Sequence, residues 1–182
     1  LRFSLLPVSG AYGLTNRLEL FFSLDALKRV DARNIHALII GEHGEGRSVP
    51  VWSRAVVSTM PIDEYARQAG IAFGPEQKAE MVDQVLRAGD ALIRRKGATI
   101  YGVAEAVVRV ITAIVRDERS ILTVSVDVAG FEGIWNLCLS LPVLVGRRGV
   151  VRTLSPRLSE EESDRFRRGV EALRERAREV GV

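Results

Sequence analysis

The sequence predicts an α+β domain, and three features carry that prediction. Apolar residues recur at helical spacing in four long segments. Two segments near residues 121–128 and 134–144 alternate with period two around a pair of glycines, which describes a hairpin. The elements run strand, helix, strand pair, helices, hairpin, helix, without the regular strand–helix alternation of a parallel sheet. With 182 residues, 47% of them hydrophobic, the chain has the size and apolar content of a single domain over 1–182.

Leu5 to Val8 reads as a short strand, followed by a turn at Ser9-Gly10-Ala11-Tyr12-Gly13. A helix from about Thr15 to Val30 places Leu20, Leu24 and Leu27 on one face. Ile35 to Ile40 reads as one apolar strand ending at Gly41, and Gly41-Glu42-His43-Gly44-Glu45-Gly46 as a glycine-rich loop. Val49 to Trp52 is a further short strand, and Pro50 places it at a sheet edge, because proline cannot donate to a ladder. Pro75 to Ile93 is a helix with a stripe of Met81, Val85, Ala88 and Leu92. Ile100 to Val115 is apolar nearly all round, which predicts a helix buried on most sides. Val150 to Thr153 is a last short strand. The final helix has the clearest start: Ser159 and Glu162 make a capping box, and Glu160, Glu161 and Asp164 suit the positive end of the helix dipole. Phe166, Val170, Leu173, Ala177 and Val180 form its narrow apolar stripe.

Composition narrows the function. The net charge is only +3, and the arginines alternate with glutamates, so no nucleic-acid footprint is expected. The most apolar stretch is interrupted by Glu105 and Arg109, so no membrane partner is expected either. Cys138 is the one cysteine, which excludes an internal disulfide or a thiolate metal cluster and fits a reducing cytoplasm. No metal-ligand spacing is present around His36 or His43, and no metal site is expected. The N-terminus is broken by Pro7 too soon for a signal peptide, and it lacks an initiator methionine, as a fragment or processed product would. The Ser9–Gly13 turn could offer amides to an anion, but it lacks the G-x-G-x-x-G pattern and reads as a plain tight turn. Trp52 and Phe131 read as core residues.

The two histidines concentrate the chemistry. His43 follows an apolar strand between glycines that let the backbone turn and a ligand approach, and imidazole changes charge near neutral pH. It is the candidate acid–base group. His36, inside the preceding strand, reads as structural.

The segments Ile39-Ile40-Gly41-Glu42-His43-Gly44-Glu45 and Val49-Pro50-Val51-Trp52-Ser53 resemble the catalytic-histidine region of the L-lactate/malate dehydrogenase family. Lys96-Gly97-Ala98-Thr99-Ile100-Tyr101-Gly102 resembles the start of that family's substrate-site helix. Residues 137–150 resemble its late strand pair, and the capped last helix also matches. The blocks keep order and spacing from about Asn34 to Val182, with a one-residue insertion near Gly46, and look most like the thermophile-type lactate enzymes.

The resemblance implies an α+β substrate domain, fewer residues than the whole enzyme, and NAD as the cofactor of a separate nucleotide-binding domain. His43 would protonate the substrate carbonyl, Thr99 would touch a small 2-keto or 2-hydroxy acid, and Val103 would pack near the nicotinamide ring. The partner would be that domain or further copies of the chain in a homo-oligomer. The family's Asp-x-x-Arg pair, which charges the histidine and grips the substrate carboxylate, falls in ungapped register on Asn16 and Glu19. A register shifted by two residues offers Arg17 as the grip, without the aspartate. Asn16 and Arg17 are therefore the candidate substrate-binding positions on that helix. No G-x-G-x-x-G segment occurs in the chain.

Overall fold

The computed structural model describes residues 30–31, 34–42, 47–96, 100–179 and 181, with the side chains of 85–93, 95–96 and 100–102 left aside. In chain order the elements are β1 (Ile35–His36), β2 (Ile39–Gly41), β3 (Ser48–Pro50), a 3-10 turn (Trp52–Arg54), β4 (Val56–Val57), β5 (Met60–Pro61), α1 (Ile62–Gln68), α2 (Pro75–Lys96) and α3 (Ile100–Val115). They continue with β6 (Ser120–Ala129), a second 3-10 turn (Phe131–Gly133), β7 (Trp135–Gly146), β8 (Gly149–Thr153) and α4 (Glu160–Glu179). The α+β class is as the sequence predicts. The strand, turn and helix expected over residues 5–30 lie outside the described residues, apart from Val30.

The chain forms two compact units, neither contiguous in sequence: Leu1–His36 with Ala55–Ile111, and Ala37–Arg54 with Thr112–Val182. The first contains a small antiparallel sheet of order β1-β4-β5, with Ile35 opposite Val57 and Val56 opposite Pro61. Ile62 and Ala66 of α1 are buried, as is Met81 of α2. Lys78 reaches back to Asp63 at 2.8 Å and lies over the Phe73 ring, which fastens the start of α2 to α1.

The second unit holds a five-stranded antiparallel sheet, β3-β2-β7-β6, with β8 also paired to β7. The predicted hairpin is β6–β7, paired from Ser120↔Val145 to Ala129↔Trp135. Gly130 and Gly133 take left-handed φ values of 89° and 76° at its turn, where a Cβ on Gly130 would stand 2.7 Å from the Trp135 ring. β3 is an edge strand, as Pro50 requires. Pro142 lies inside the long strand β7, where a proline would normally break a ladder. Its carbonyl accepts from Leu154, so its missing N–H faces the same side. There β7 changes partner, from β2 at Ser140 to β8 from Val143 onward, so the missing donor falls where the β8 ladder ends.

Leu139, Leu141, Val143 and Val145 alternate into the interior of this unit. Leu139 and Leu141 pack with Ile40, Val49, Val51, Phe166 and Val170, so the stripe of α4 covers the strands that flank the glycine-rich loop. Phe166 meets Phe131 edge-on, with ring centroids 5.3 Å apart, which supports the core role read for Phe131.

Two expectations need correction. The apolar run 35–40 is two strands in two sheets, broken at Ala37–Leu38. Ala37 is buried but outside any ladder, and the Leu38 carbonyl accepts from Val51 instead. Helix α3 is not buried on most sides: Val103, Val107, Val108, Ile111 and Val115 are 37–67% exposed, while Ala106 and Ala113 are buried. Ile114 packs beside Ala113 against Val143 and Val145, while the branched residues of the exposed stripe face outward. An apolar helix must be covered by something, but its periodicity does not say that the cover lies within the same chain.

Candidate functional site

The glycine-rich loop joins β2 to β3, whose register sets Ile39 against Pro50, Ile40 against Val49 and Gly41 against Ser48. His43 itself, with Gly44, Glu45 and Gly46, lies outside the described residues, and so do Asn16, Arg17, Glu19 and Thr99. What the structure gives in full is the frame on either side of that loop.

The frame begins with backbone. Gly41 has φ +98°, a conformation that favours glycine, and a Cβ there would come within 3.1 Å of the Arg47 carbonyl. From the other side a Cβ on Gly169 of α4 would stand 2.9 Å from the same oxygen. Arg47 is thus seated between two glycines, one on β2 and one on α4. Its guanidinium pairs with Glu42, and the two side chains tie the ends of the loop together across five residues.

A carboxylate network holds the far side. The capping box is formed as predicted: the Ser159 N–H donates to Glu162 Oε2 at 2.9 Å, and Glu162 N–H donates to Ser159 Oγ at 3.3 Å. Glu162 is the buried charged residue among the described positions, 7% exposed. It also receives the Ser53 N–H on Oε1 at 2.8 Å and the Ser53 hydroxyl on Oε2 at 2.6 Å. One carboxylate therefore caps α4 and fixes the 3-10 turn that follows β3. The Ser53 bond spans 109 residues, and nothing in the sequence signals it. Arg54 adds a bond from Nε to the Arg157 carbonyl at 3.0 Å.

Of the proposed cofactor and substrate positions, Val103 is described. It is 37% exposed near the start of α3, the first member of the exposed apolar stripe. His36 is exposed on β1. Cys138 is exposed and unbridged. Among the described residues no group of histidine, cysteine and carboxylate side chains is placed to hold a metal, and no helix is long and apolar enough to cross a membrane.

Comparison with known proteins accounts for this arrangement. Residues 15–181 match the lactate/malate dehydrogenase, alpha/beta C-terminal domain. The chain is 44% identical over 153 residues to an L-lactate dehydrogenase of Thermoanaerobacter pseudethanolicus, covering 84% of this chain and 49% of that protein. It is 39% identical over 152 residues to the L-lactate dehydrogenase of Thermus aquaticus, with the same coverage. Among solved structures, a lactate dehydrogenase from a Medee basin deep-sea metagenome library superposes with a TM-score of 0.82 at 27% identity, over 93% of this chain and 54% of that one. Cryptosporidium parvum malate dehydrogenase shares the fold, with a TM-score of 0.80 at 22% identity over 90% of this chain and 52% of that one. The chain spans about half the length of the curated relatives it matches. Both the domain match and the superposed fold lead to one assignment: this chain belongs to the lactate/malate dehydrogenase family and corresponds to its C-terminal domain.

Proposed function

We propose that the chain is the substrate-binding half of an NAD-dependent 2-hydroxy-acid dehydrogenase, and that it works only when joined to a nucleotide-binding half. The observation that carries this reading is the family match over residues 15–181 combined with coverage of only about half of each relative. The unbroken family match over residues 15–181 supports treating 1–182 as one domain.

The residues present fit one part of an NAD site. Val103 and the stripe behind it offer an exposed apolar wall, which suits the flat nicotinamide ring. A glycine-rich phosphate turn is missing from the sequence, so the pyrophosphate would be held by the other half. When bound, NAD supplies or accepts the hydride. This chain's own share is positional and acid–base. His43 as imidazolium would give its proton to the keto oxygen of a small 2-keto acid, and as imidazole would take it back in the reverse direction. Thr99 would contact the substrate, and position 16 or 17 would bear on the histidine or the substrate carboxylate.

The α3 stripe supports the missing partner. Val103, Val107, Val108, Ile111 and Val115 recur along one helix face, a continuous apolar surface that isolated domains rarely leave to water. The nucleotide-binding half of a lactate dehydrogenase relative, added to this chain, should bind it. Val108→Glu with Ile111→Glu should weaken that association at least about 100-fold, because two charges would be buried unpaired. Binding that survives both changes, or no binding by the unaltered chain in analytical ultracentrifugation, would remove the stripe from the account. Self-association through the same face, lost in the double variant, would favour a second reading: a non-catalytic dehydrogenase-like module that scaffolds or oligomerises. Asn16 and Glu19, in place of the family's charged pair, are what favour it. A reducing cytoplasmic setting, in keeping with one unpaired cysteine, suits both readings.

A further inference from the structure

From the second unit we infer an oxyanion-binding cleft, independent of the dehydrogenase reading, for a phosphate-class ligand. The cleft, about 290 Å³, is lined by Arg47 at the end of the β2–β3 loop and by Glu161, Arg165, Arg168 and Gly169 of α4. Its size is near the lower end of small-ligand sites, roughly 300 Å³. Among the described residues of the lining, three are arginines and one, Glu161, is a carboxylate.

Arg47 is paired with Glu42, and the other two arginines of the cleft have no ion pair among the described residues. Elsewhere on the same helix, Arg167 pairs with Glu132 at 3.3 Å and Arg174 with Glu171 at 2.7 Å. Arg165 has Glu161 one turn before it, the ordinary position for an ion pair, yet no ion pair involves Arg165, Arg168 or Glu161 among the described residues. The two arginines lie three residues apart, on one side of α4. Arg47 approaches from the opposite wall and is pre-set: its guanidinium is held by Glu42, its side chain is only 17% exposed, and its backbone is seated against Gly41 and Gly169. Gly169 contributes no side chain, which lets the Arg47 backbone pack directly on α4 at this point. A planar guanidinium matches the oxygens of phosphate or carboxylate two at a time, and two unpaired guanidiniums on one helix, with Arg47 fixed beside them, favour an anion with several oxygens.

The test uses the whole chain and inorganic pyrophosphate, titrated calorimetrically at constant ionic strength, with inorganic phosphate as a second probe. Saturable binding is expected, tighter for pyrophosphate. Arg165→Gln with Arg168→Gln should weaken it at least about tenfold, the loss expected for charge-assisted hydrogen bonds. Arg176→Gln with Arg178→Gln removes the same charge from the last turns of α4, outside the cleft, and should leave binding unchanged. Non-saturable binding, or equal weakening in the two double variants, would overturn the site, since general attraction to a basic helix would then suffice. Circular dichroism of each variant establishes that α4 remains folded.

Discussion

Fused to the nucleotide-binding half of a lactate dehydrogenase relative, this chain should reduce pyruvate at least about 1,000-fold faster after Asn16→Asp and Glu19→Arg are introduced together. The expectation follows from what each position would do in the family's register. In the proposed reaction the keto oxygen takes its proton from an imidazolium at position 43, and a neighbouring carboxylate would both orient the ring and stabilise its charge. Asparagine can accept the ring's hydrogen bond but supplies no charge, and the corresponding exchange in a serine protease lowers turnover by about four orders of magnitude. Position 19 compounds the loss, because a glutamate there repels the carboxylate that an arginine would hold by two parallel hydrogen bonds. The two changes should separate kinetically. Asn16→Asp should act mainly on kcat, and Glu19→Arg mainly on KM, since the carboxylate is gripped in ground state and transition state alike. A rise of less than tenfold in kcat/KM for the double variant would mean that the register is wrong. Arg17→Ala then becomes informative, because in the shifted register it alone removes the grip.

Glu162→Ala should destabilise the chain by about 2–4 kcal/mol, read from urea unfolding. The carboxylate is 7% exposed and accepts three hydrogen bonds, from Ser53 N–H, Ser53 Oγ and Ser159 N–H. Ser159 Oγ keeps its bond from the residue-162 N–H, so the cap loses only its reciprocal half, at most about 1 kcal/mol. The remainder reflects backbone and hydroxyl donors left without an acceptor. Glutamine should rescue little. Whichever way its amide is turned, its NH2 faces a backbone N–H, either that of Ser53 at the Oε1 position or that of Ser159 at the Oε2 position, and neither donor can rotate away. Ser53→Ala should cost less than Glu162→Ala, because it deletes the hydroxyl bond and keeps the other two. Unfolding of Glu162→Gln at the unaltered urea midpoint would show that the network contributes nothing beyond the cap.

Much of this fold is legible in local sequence, and the parts that are not have definite physical reasons. Residues 100–115 are read as a helix to the residue, because a sixteen-residue apolar run without proline is too long for an ordinary strand. The capping box of α4 and the glycines of the β6–β7 turn are equally local devices, and both form as their chemistry requires. The break at Ala37–Leu38 is not local: an apolar run of six residues looks like one strand until the chain has two sheets to serve. β4 and β5, two residues each, are too short to show any period, and α1 went unread with them. The exposure of α3 could not be foreseen, since apolar content reports the need for a cover and not its source. At the candidate site, the glycines around His43 mark the loop, and the resemblance supplies its role. The clamp by Glu162 on Ser53 and the seating of Arg47 between Gly41 and Gly169 arise from strand pairing and helix packing, which bring together residues more than a hundred positions apart.

Position 43 as proton donor to the substrate carbonyl is tested most directly by NADH oxidation with pyruvate, using the fused protein that carries Asn16→Asp and Glu19→Arg, with and without His43→Ala. A fall in kcat of at least about 100-fold on loss of the imidazole, with pyruvate binding retained, is the predicted result. Turnover that persists unchanged in His43→Ala, or a fused protein that binds NADH and pyruvate yet transfers no hydride even with His43 in place, would contradict it.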